Sequence, residues 1–252
     1  MDALVLAGGY ASPELAEATG CTDRALIPIE GRPMIAHVLA ALRATPAIER
    51  IAVVGHEATL AIAADVVPVP AQDRMVDNLT AGLSTLGAER VLVCTCDIPL
   101  VTSASFEALL ARAAACELEM VYPVVRRTTC EAACPTGKRT YATLRDGEFT
   151  GGNAVLVPGR AIGNITRLVD AAYNARKNPL GLAKLLGTGF LIKFLSKRLT
   201  IAEIERKAVQ LLGCRAGAVE MRDAAIAFDV DKLSDLRVAE QVLKQRALES
   251  PL

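Results

Sequence analysis

Tryptophan is absent from the 252 residues, and aromatic side chains make up only 4% of the chain. So few rings leave no series of stacking platforms for single-stranded nucleic acid. Neither sign of charge is in excess, because 28 Lys and Arg balance 28 Asp and Glu. A neutral chain sets up no global field for a polyanion, so an anionic ligand must be held by a local cluster. No apolar run reaches the ~18–20 residues of a membrane span. The longest, Phe190–Leu195, is interrupted by Lys193 and flanked by Lys197 and Arg198. The opening Met1–Leu6 has neither a basic region nor a cleavage pattern, so it reads as a strand and the expected location is cytoplasmic. Only two histidines occur, His37 and His56, and no Ser-His-Asp or Cys-His arrangement emerges. The seven cysteines are an odd number and read as reduced thiols. Cys94 and Cys96 alternate on one apolar run without a second pair to complete a zinc set, and Cys130 with Cys134 is another lone pair.

What is present points to a folded enzyme-sized domain. Hydrophobic residues reach 52% against 22% charged, which excludes disorder. The length fits one large domain, or one carrying an insertion. Short apolar runs at Ala3–Ala7, Ile51–Val54, Val91–Thr95, Met120–Val125 and Ala154–Val157 read as strands covered on both faces. Between them lie helical patterns: Met34, Ile35, Val38, Leu39 and Leu42 after Pro33; Leu79, Leu83 and Leu86 before Gly87; Phe106, Leu109, Leu110 and Ala113. Right-handed crossovers would stack these strands into a mostly parallel α/β sheet. From Ile165 to Leu212 the pattern is almost entirely helical and rich in Lys and Arg, with a capping box at Thr200–Glu203. This stretch reads as a helical insertion serving as a lid or an oligomer contact, or equally as a solvated subdomain. A third reading is a surface-bound amphipathic helix around Phe190–Leu199. Strand patterns return at Gly217–Met221 and Ala225–Asp229, and a helix begins at Ser234.

Three features carry chemistry. First, the strand Ala3–Ala7 runs into Gly8 and Gly9, and such a loop lets backbone N–H groups approach a phosphate or base; a plain tight turn is the alternative. Second, the strand Val91–Thr95 leads to Asp97-Ile98-Pro99-Leu100, which puts an acid at a strand tip, where open α/β sheets bind ligands; a cap for the helix near Thr102 is the alternative. Third, Phe228-Asp229-Val230-Asp231 offers further carboxylates that a strand would point the same way.

The run Leu6-Ala7-Gly8-Gly9, a basic Arg24, then Leu26-Ile27-Pro28-Ile29-Glu30-Gly31-Arg32-Pro33-Met34-Ile35 resembles the nucleotidyltransferase superfamily, in particular molybdenum cofactor guanylyltransferase-like NTP transferase domains. The resemblance covers roughly residues 3–160 and 217–247. It implies a Rossmann-like, mostly parallel sheet of glycosyltransferase-A type, a single domain over 1–252 with a helical insertion at about 160–215. It also implies Mg²⁺-dependent transfer of NMP from an NTP to a small phosphorylated or hydroxylated acceptor, releasing pyrophosphate. Arg24 and Asp97 would be catalytic, Arg24 standing where the family has lysine. Leu6, Ala7, Gly8, Gly9, Asn78 and Gly82 would seat the nucleotide, and Gly151, Gly152 and Asn153 the acceptor. Asp97 with Asp229 or Asp231, the latter preferred, would hold the metal. Asp235 fits first-turn helix charge behind a Ser234 cap. Asn78 also suits a helix N-cap, Gly82 a packing position, and Gly151–Asn153 an ordinary turn. Lys138 and Arg139 would bind acceptor phosphate or stand as solvated charges. The family pattern G-G-x-G-x-R is interrupted, since Tyr10-Ala11-Ser12-Pro13-Glu14 follows the glycines without an early arginine. Two further readings stay open: a sugar-nucleotide-dependent glycosyltransferase, which would ordinarily carry an acid two residues before Asp97, and a non-catalytic nucleotide-binding relic. No nucleic acid or membrane span is expected, and a homo-oligomer through the insertion is.

Overall fold

A computed structural model describes residues 1–63, 65–134, 137, 139–175 and 185–249, with backbone only for 172–175. Lys138, Arg176, Lys177 and Lys184 lie outside the described residues or their side chains. The chain builds a nine-stranded sheet. Its parallel half runs β5 (Val67–Pro70), β4 (Arg50–Gly55), β1 (Asp2–Ala7), β6 (Arg90–Thr95). Beyond β6 come β10 (Ala154–Pro158) and β7 (Met120–Arg126), and β11 (Ala216–Met221) pairs parallel with β7. The hairpin β8 (Ala142–Leu144) and β9 (Gly147–Gly151) joins the far end of β7. A two-residue ribbon, β2 (Pro28–Ile29) with β3 (Arg32–Pro33), stands apart.

The five apolar runs expected as strands are all strands. β10 is antiparallel to both neighbours. It runs in the same direction as β9, which is also antiparallel to β7, so Gly152 and Asn153 link two stretches of chain that both run against β7.

Alternate side chains of each central strand enter different cores, as a pleat of period two requires. Ala3, Val5 and Ala7 of β1 join Val53, Leu92 and Cys94 on one face, while Leu4 joins Ala52, Val54, Val91 and Val93 on the other. The first face is covered by α2 (Met34–Arg43), α5 (Ser103–Ala115) and α10 (Leu233–Glu249). The second is covered by α4 (Met75–Leu86). Short helices α1 (Pro13–Thr19), α3 (Glu57–Ala61) and α6 (Arg127–Ala133) fill the connections.

The basic helical stretch contributes α7 (Ile162–Ala175), α8 (Thr188–Leu195) and α9 (Ile201–Leu212) among the described residues. Ile165 and Leu212 are buried in the same core as Leu4. α7 packs on α4, and α9 lies over β11. Two of the three helices therefore cover the second face of the sheet rather than forming a lid or a solvated subdomain. Only α8 contributes no buried residue. The capping box forms as the sequence indicates: Thr200 accepts from the Glu203 N–H, and Glu203 accepts from the Thr200 N–H at 3.1 Å.

Two expectations need correction. Ala225–Asp229 is not a strand; Ala224–Ala227 is a 3₁₀ turn, started by Asp223 accepting the Ala225 N–H at 2.9 Å. The last helix is not capped by Ser234. It starts at Leu233, and the buried Asp235 carboxylate reaches back to the N–H groups of Asp231 and Lys232.

The seam between β10, β7 and β11 is tied by one carboxylate. Glu119 accepts from Arg160 at 3.1 Å and from the Arg215 backbone N–H at 3.0 Å. The Arg160 bond and the Arg215 N–H pull its pKa from 4.5 down to about 2. A carboxyl depressed on folding contributes stability that is complete above 4.5 and is lost as pH falls toward 2. Glu119→Gln removes this acid dependence. Urea midpoints of wild type and variant should differ at pH 6, and the gap should narrow as pH falls from 4.5 toward about 2. A constant gap across that range would contradict the assignment.

Candidate functional site

In open α/β sheets ligands bind beyond the carboxyl ends of the strands, where connections leave to opposite sides. Here the chain goes from β1 to β4 on one side and later to β6 on the other, so the crevice opens between β1 and β6. The loop after β1 returns on itself: Ala11 N–H donates to Thr22 O, Tyr10 bridges Asp23, and Arg24 N–H donates to Gly9 O at 3.2 Å. The backbone thereby delivers Arg24, the first residue of a 3₁₀ turn over Arg24–Leu26, beside the two glycines.

At the tip of β6 stands Asp97, 8% exposed. It is not the cap of α5, because Thr102 and Ser105 form that capping box themselves. Asp97 O accepts the Val230 N–H at 2.9 Å, which staples the 228–231 segment to the strand tip. Ser12 Oγ adds a second tie, donating to Asp231 O at 3.3 Å.

These ties bring three chain-distant charges to one point. Nη1 of Arg24 donates to Asp97 Oδ2 at 2.7 Å and to Asp231 Oδ1 at 2.7 Å. Burial works against the guanidinium charge, but the Asp97 bond and the charges of Asp97 and Asp231 outweigh it and hold the Arg24 pKa above its usual value. Within this trio two polar atoms stay unmatched: Asp97 Oδ1 and Arg24 Nε are buried without a hydrogen-bond partner among the described residues. A buried unpaired carboxylate oxygen is costly and is a feature of sites that await a ligand.

Asp229 does not point with Asp231, as a strand would have required. Its Oδ1 accepts from Arg139 Nη1 at 2.6 Å, its backbone O accepts from Arg139 Nη2 at 2.9 Å, and the same guanidinium lies 4.3 Å over the Phe228 ring. Burial, and after it the charges of Asp231 and Asp97, push the Asp229 carboxyl up to about 6 against the pull of Arg139. Arg139 is thus a clamp on the acidic turn, neither free for an acceptor phosphate nor solvated. Its partnership with Asp229 spans 90 residues and has no local signal in the sequence.

The metal fit rests on two carboxylates, not three. Among the described residues no three His, Cys, Asp or Glu side chains are grouped to hold an ion. Asp97 and Asp231 already share one bridging atom, and Asp97 keeps a free buried oxygen. Mg²⁺ takes one or two carboxylates and completes its shell with substrate phosphates and water, so the pair suits it. The neighbouring thiols do not compete: burial, with the Asp97 charge, pushes Cys94 up to about 12 and Cys96 well above its usual value.

The residues expected to seat the nucleotide divide. Leu6 and Ala7 end β1, and Leu6 O accepts the Cys96 N–H at 3.2 Å, which draws the glycine loop and the Asp97 turn together. A side chain on Gly8 would stand 2.7 Å from Ala71 Cβ, so only glycine allows this close approach, while Gly9 faces open space. Asn78 is not a cap, because α4 begins at Met75. Buried, it grips Gln72 instead, accepting the Gln72 N–H at 2.6 Å and donating to Gln72 O at 3.1 Å. It therefore shapes the backbone facing Gly8. Beside that backbone lies a cavity of about 550 Å³ lined by Gly55, His56, Pro70 and Ala71. The Tyr10 ring stacks on His56 at this edge, with centroids 4.7 Å apart. Gly82 lies away from the crevice, where any side chain would collide with Leu4 in the core.

On the other flank, Gly151 and Gly152 lie close against neighbouring side chains. A side chain on the first would meet the Tyr122 hydroxyl, and one on the second would stand 2.8 Å from Pro123. Asn153 reaches the mouth: its O accepts the Thr95 N–H at 3.1 Å and its N–H donates to Ile226 O at 2.8 Å.

A Rossmann-like sheet with a guanidinium and two acids at its mouth defines a nucleotidyltransferase-type enzyme. The chain belongs to the MobA-like NTP transferase domain family, whose model matches residues 3–178. A hypothetical transferase from Thermus thermophilus superposes with a TM-score of 0.83 at 38% identity, over 93% of this chain and 98% of that one. CMP:2-keto-3-deoxy-manno-octonic acid synthetase complexed with CTP shares the fold, with a TM-score of 0.62 at 15% identity over 98% and 100% of the two chains. The bifunctional protein GlmU of Cupriavidus necator is 31% identical over 144 residues, which are 54% of this chain and 29% of that protein. The chain thus matches under a third of the length of this relative.

Gly82 discriminates between contact and packing. Gly82→Ala should lower stability by about 1–3 kcal/mol, the usual cost of overpacking, and leave nucleotide affinity unchanged. Urea unfolding beside calorimetric titration with NTPs checks both; a stable variant with weakened binding would return Gly82 to the nucleotide site.

Proposed function

We propose that the protein transfers NMP from an NTP to a small phosphorylated or hydroxylated acceptor, with Mg²⁺ held at Asp97 and Asp231 and pyrophosphate released. The observation that carries this reading is the shared Arg24 nitrogen: two carboxylates and a guanidinium from distant parts of the chain converge beyond the strand ends, beside a glycine loop. When bound, Mg²⁺ supplies charge neutralisation of the triphosphate. Asp97 and Asp231 supply the anchoring oxygens, and the unpaired Oδ1 of Asp97 leaves the site short of a cation. Arg24 stands as the counter-ion of the two acids before substrate arrives. It then turns its planar donor set to the phosphate oxygens on which charge builds during displacement. Backbone N–H groups of the glycine loop approach the same phosphates, and the base extends over the 71–78 backbone that Asn78 holds. The acceptor enters from the Asn153 flank, so its nucleophilic oxygen faces the α-phosphorus opposite the pyrophosphate. No covalent enzyme intermediate is required; positioning and electrostatics provide the acceleration.

Arg24→Ala should reduce the rate of pyrophosphate release by about 10²–10³, the scale for loss of one preorganised donor, equivalent to about 3–4 kcal/mol. Asp97→Asn and chelation of divalent ions should both abolish turnover, with Mg²⁺ restoring the chelated wild type only. Because Arg24 and a cation would both draw on the Asp97 and Asp231 carboxylates, Mg²⁺ should raise the melting temperature of Arg24→Ala more than that of wild type. The measurement is pyrophosphate release across an NTP and acceptor panel, with thermal shift beside it. Turnover unchanged in both variants would sink the assignment.

A further inference from the structure

The helix α8 presents an apolar surface for which the catalytic site has no use. It is anchored from beneath, where Phe190 packs with Leu199, Phe149 and Leu144 in a small core of their own. Its outer residues are another matter: Ile192 is 65% exposed, Leu195 72% and Phe194 41%. Large apolar side chains clustered so openly on two turns of helix mark an interaction surface rather than scattered exposure.

The charges around them are mostly positive. Lys197 and Arg198 follow directly and are exposed. Next to α8 lies a cavity of about 800 Å³ that Ile192 lines together with Arg145, Arg198 and Arg206. Among the described residues none of these three arginines forms an ion pair. The acids nearby are already engaged: Glu203 takes Lys193 and the Thr200 N–H, and Asp146 accepts the Ile201 N–H at 2.7 Å. The patch therefore offers apolar side chains rimmed by unneutralised cations.

A second copy of the chain does not suit it. Two-fold contact would set Lys197 and Arg198 against their own counterparts, and like charges opposed in an interface are costly. Three partly exposed side chains also fall short of the ~800 Å² per partner of a stable interface. An anionic lipid surface meets both halves at once, since apolar residues enter the acyl boundary while Arg and Lys meet phosphate headgroups.

We propose that α8 and the Arg145–Arg198–Arg206 concavity form a peripheral docking site for anionic lipid bilayers. The surface is separate from the nucleotide crevice, so this proposal stands independently of the reaction assigned there. Full-length protein is floated with vesicles of phosphatidylcholine alone and with about one-third phosphatidylglycerol added, at low salt and at ~0.5 M salt. Wild type should partition about tenfold more onto the anionic vesicles at low salt and come off at high salt. Ile192→Ser with Leu195→Ser, and separately Arg198→Glu with Arg206→Glu, should each reduce partition about tenfold while keeping the wild-type melting temperature. Should the serine pair fail to fold, Leu195→Gln alone gives the same reading. Absence of flotation, equal partition onto neutral vesicles, or unchanged partition of the folded variants would overturn the proposal. So would light scattering that shows a dimer dissolved by the same substitutions, which would give the surface to a second copy.

Discussion

One nitrogen of Arg24 bonded to two carboxylates is the interaction on which the mouth of the sheet depends. Asp97 and Asp231 come from segments 134 residues apart, and their negative charges would repel if brought together without a cation. The guanidinium permits their approach, and backbone ties keep it in place: Asp97 O to Val230 N–H, Ser12 Oγ to Asp231 O, Gly9 O to Arg24 N–H. Arg139 does the same for Asp229, so each acid of the 229–231 turn has its own arginine. With three acids against two arginines, the cluster stays one positive charge short of balance.

The two-sided burial of the central strands explains why so much of the sheet could be read from the chain. Runs such as Ala3–Ala7 and Val91–Thr95 are apolar without interruption because both of their faces enter a core, and such runs have few other uses. Asp97 was legible for a related reason. An acid directly after a buried strand has nowhere to go but the strand tip. Arg24 was legible through its neighbours, since the Leu26–Ile35 pattern fixes its family place. Thr200–Glu203 was legible because a capping box is a local contract between four residues.

What escaped had no local cause. The 224–227 turn has the same apolar composition as a strand, and only Asp223 and the missing ladder partner make it a 3₁₀ turn. The divergence of Asp229 from Asp231 follows from that, and with it the partnership with Arg139. Asn78 favours a helix N-cap by type, yet its use is tertiary, in holding Gln72. Gly151 and Gly152 show the opposite limit: a polar-looking loop whose glycines lie close against Tyr122 and Pro123, neighbours with no local signal in the sequence. In the basic helical stretch, charge counts hide which helical face is apolar. α7 and α9 place Ile165 and Leu212 in the sheet's second core, which neither a lid nor a solvated subdomain would do.

The bond from Val230 N–H to the carbonyl of Asp97 carries a consequence for synthesis of the chain. A ribosome releases the parallel half of the sheet, with Arg24 and Asp97, long before it reaches residue 230. Until then the guanidinium has one acid instead of two, and the strand tip lacks its staple. The arginine–carboxylate cluster therefore closes late, in the same stretch of synthesis that delivers α10 to the first face of the sheet.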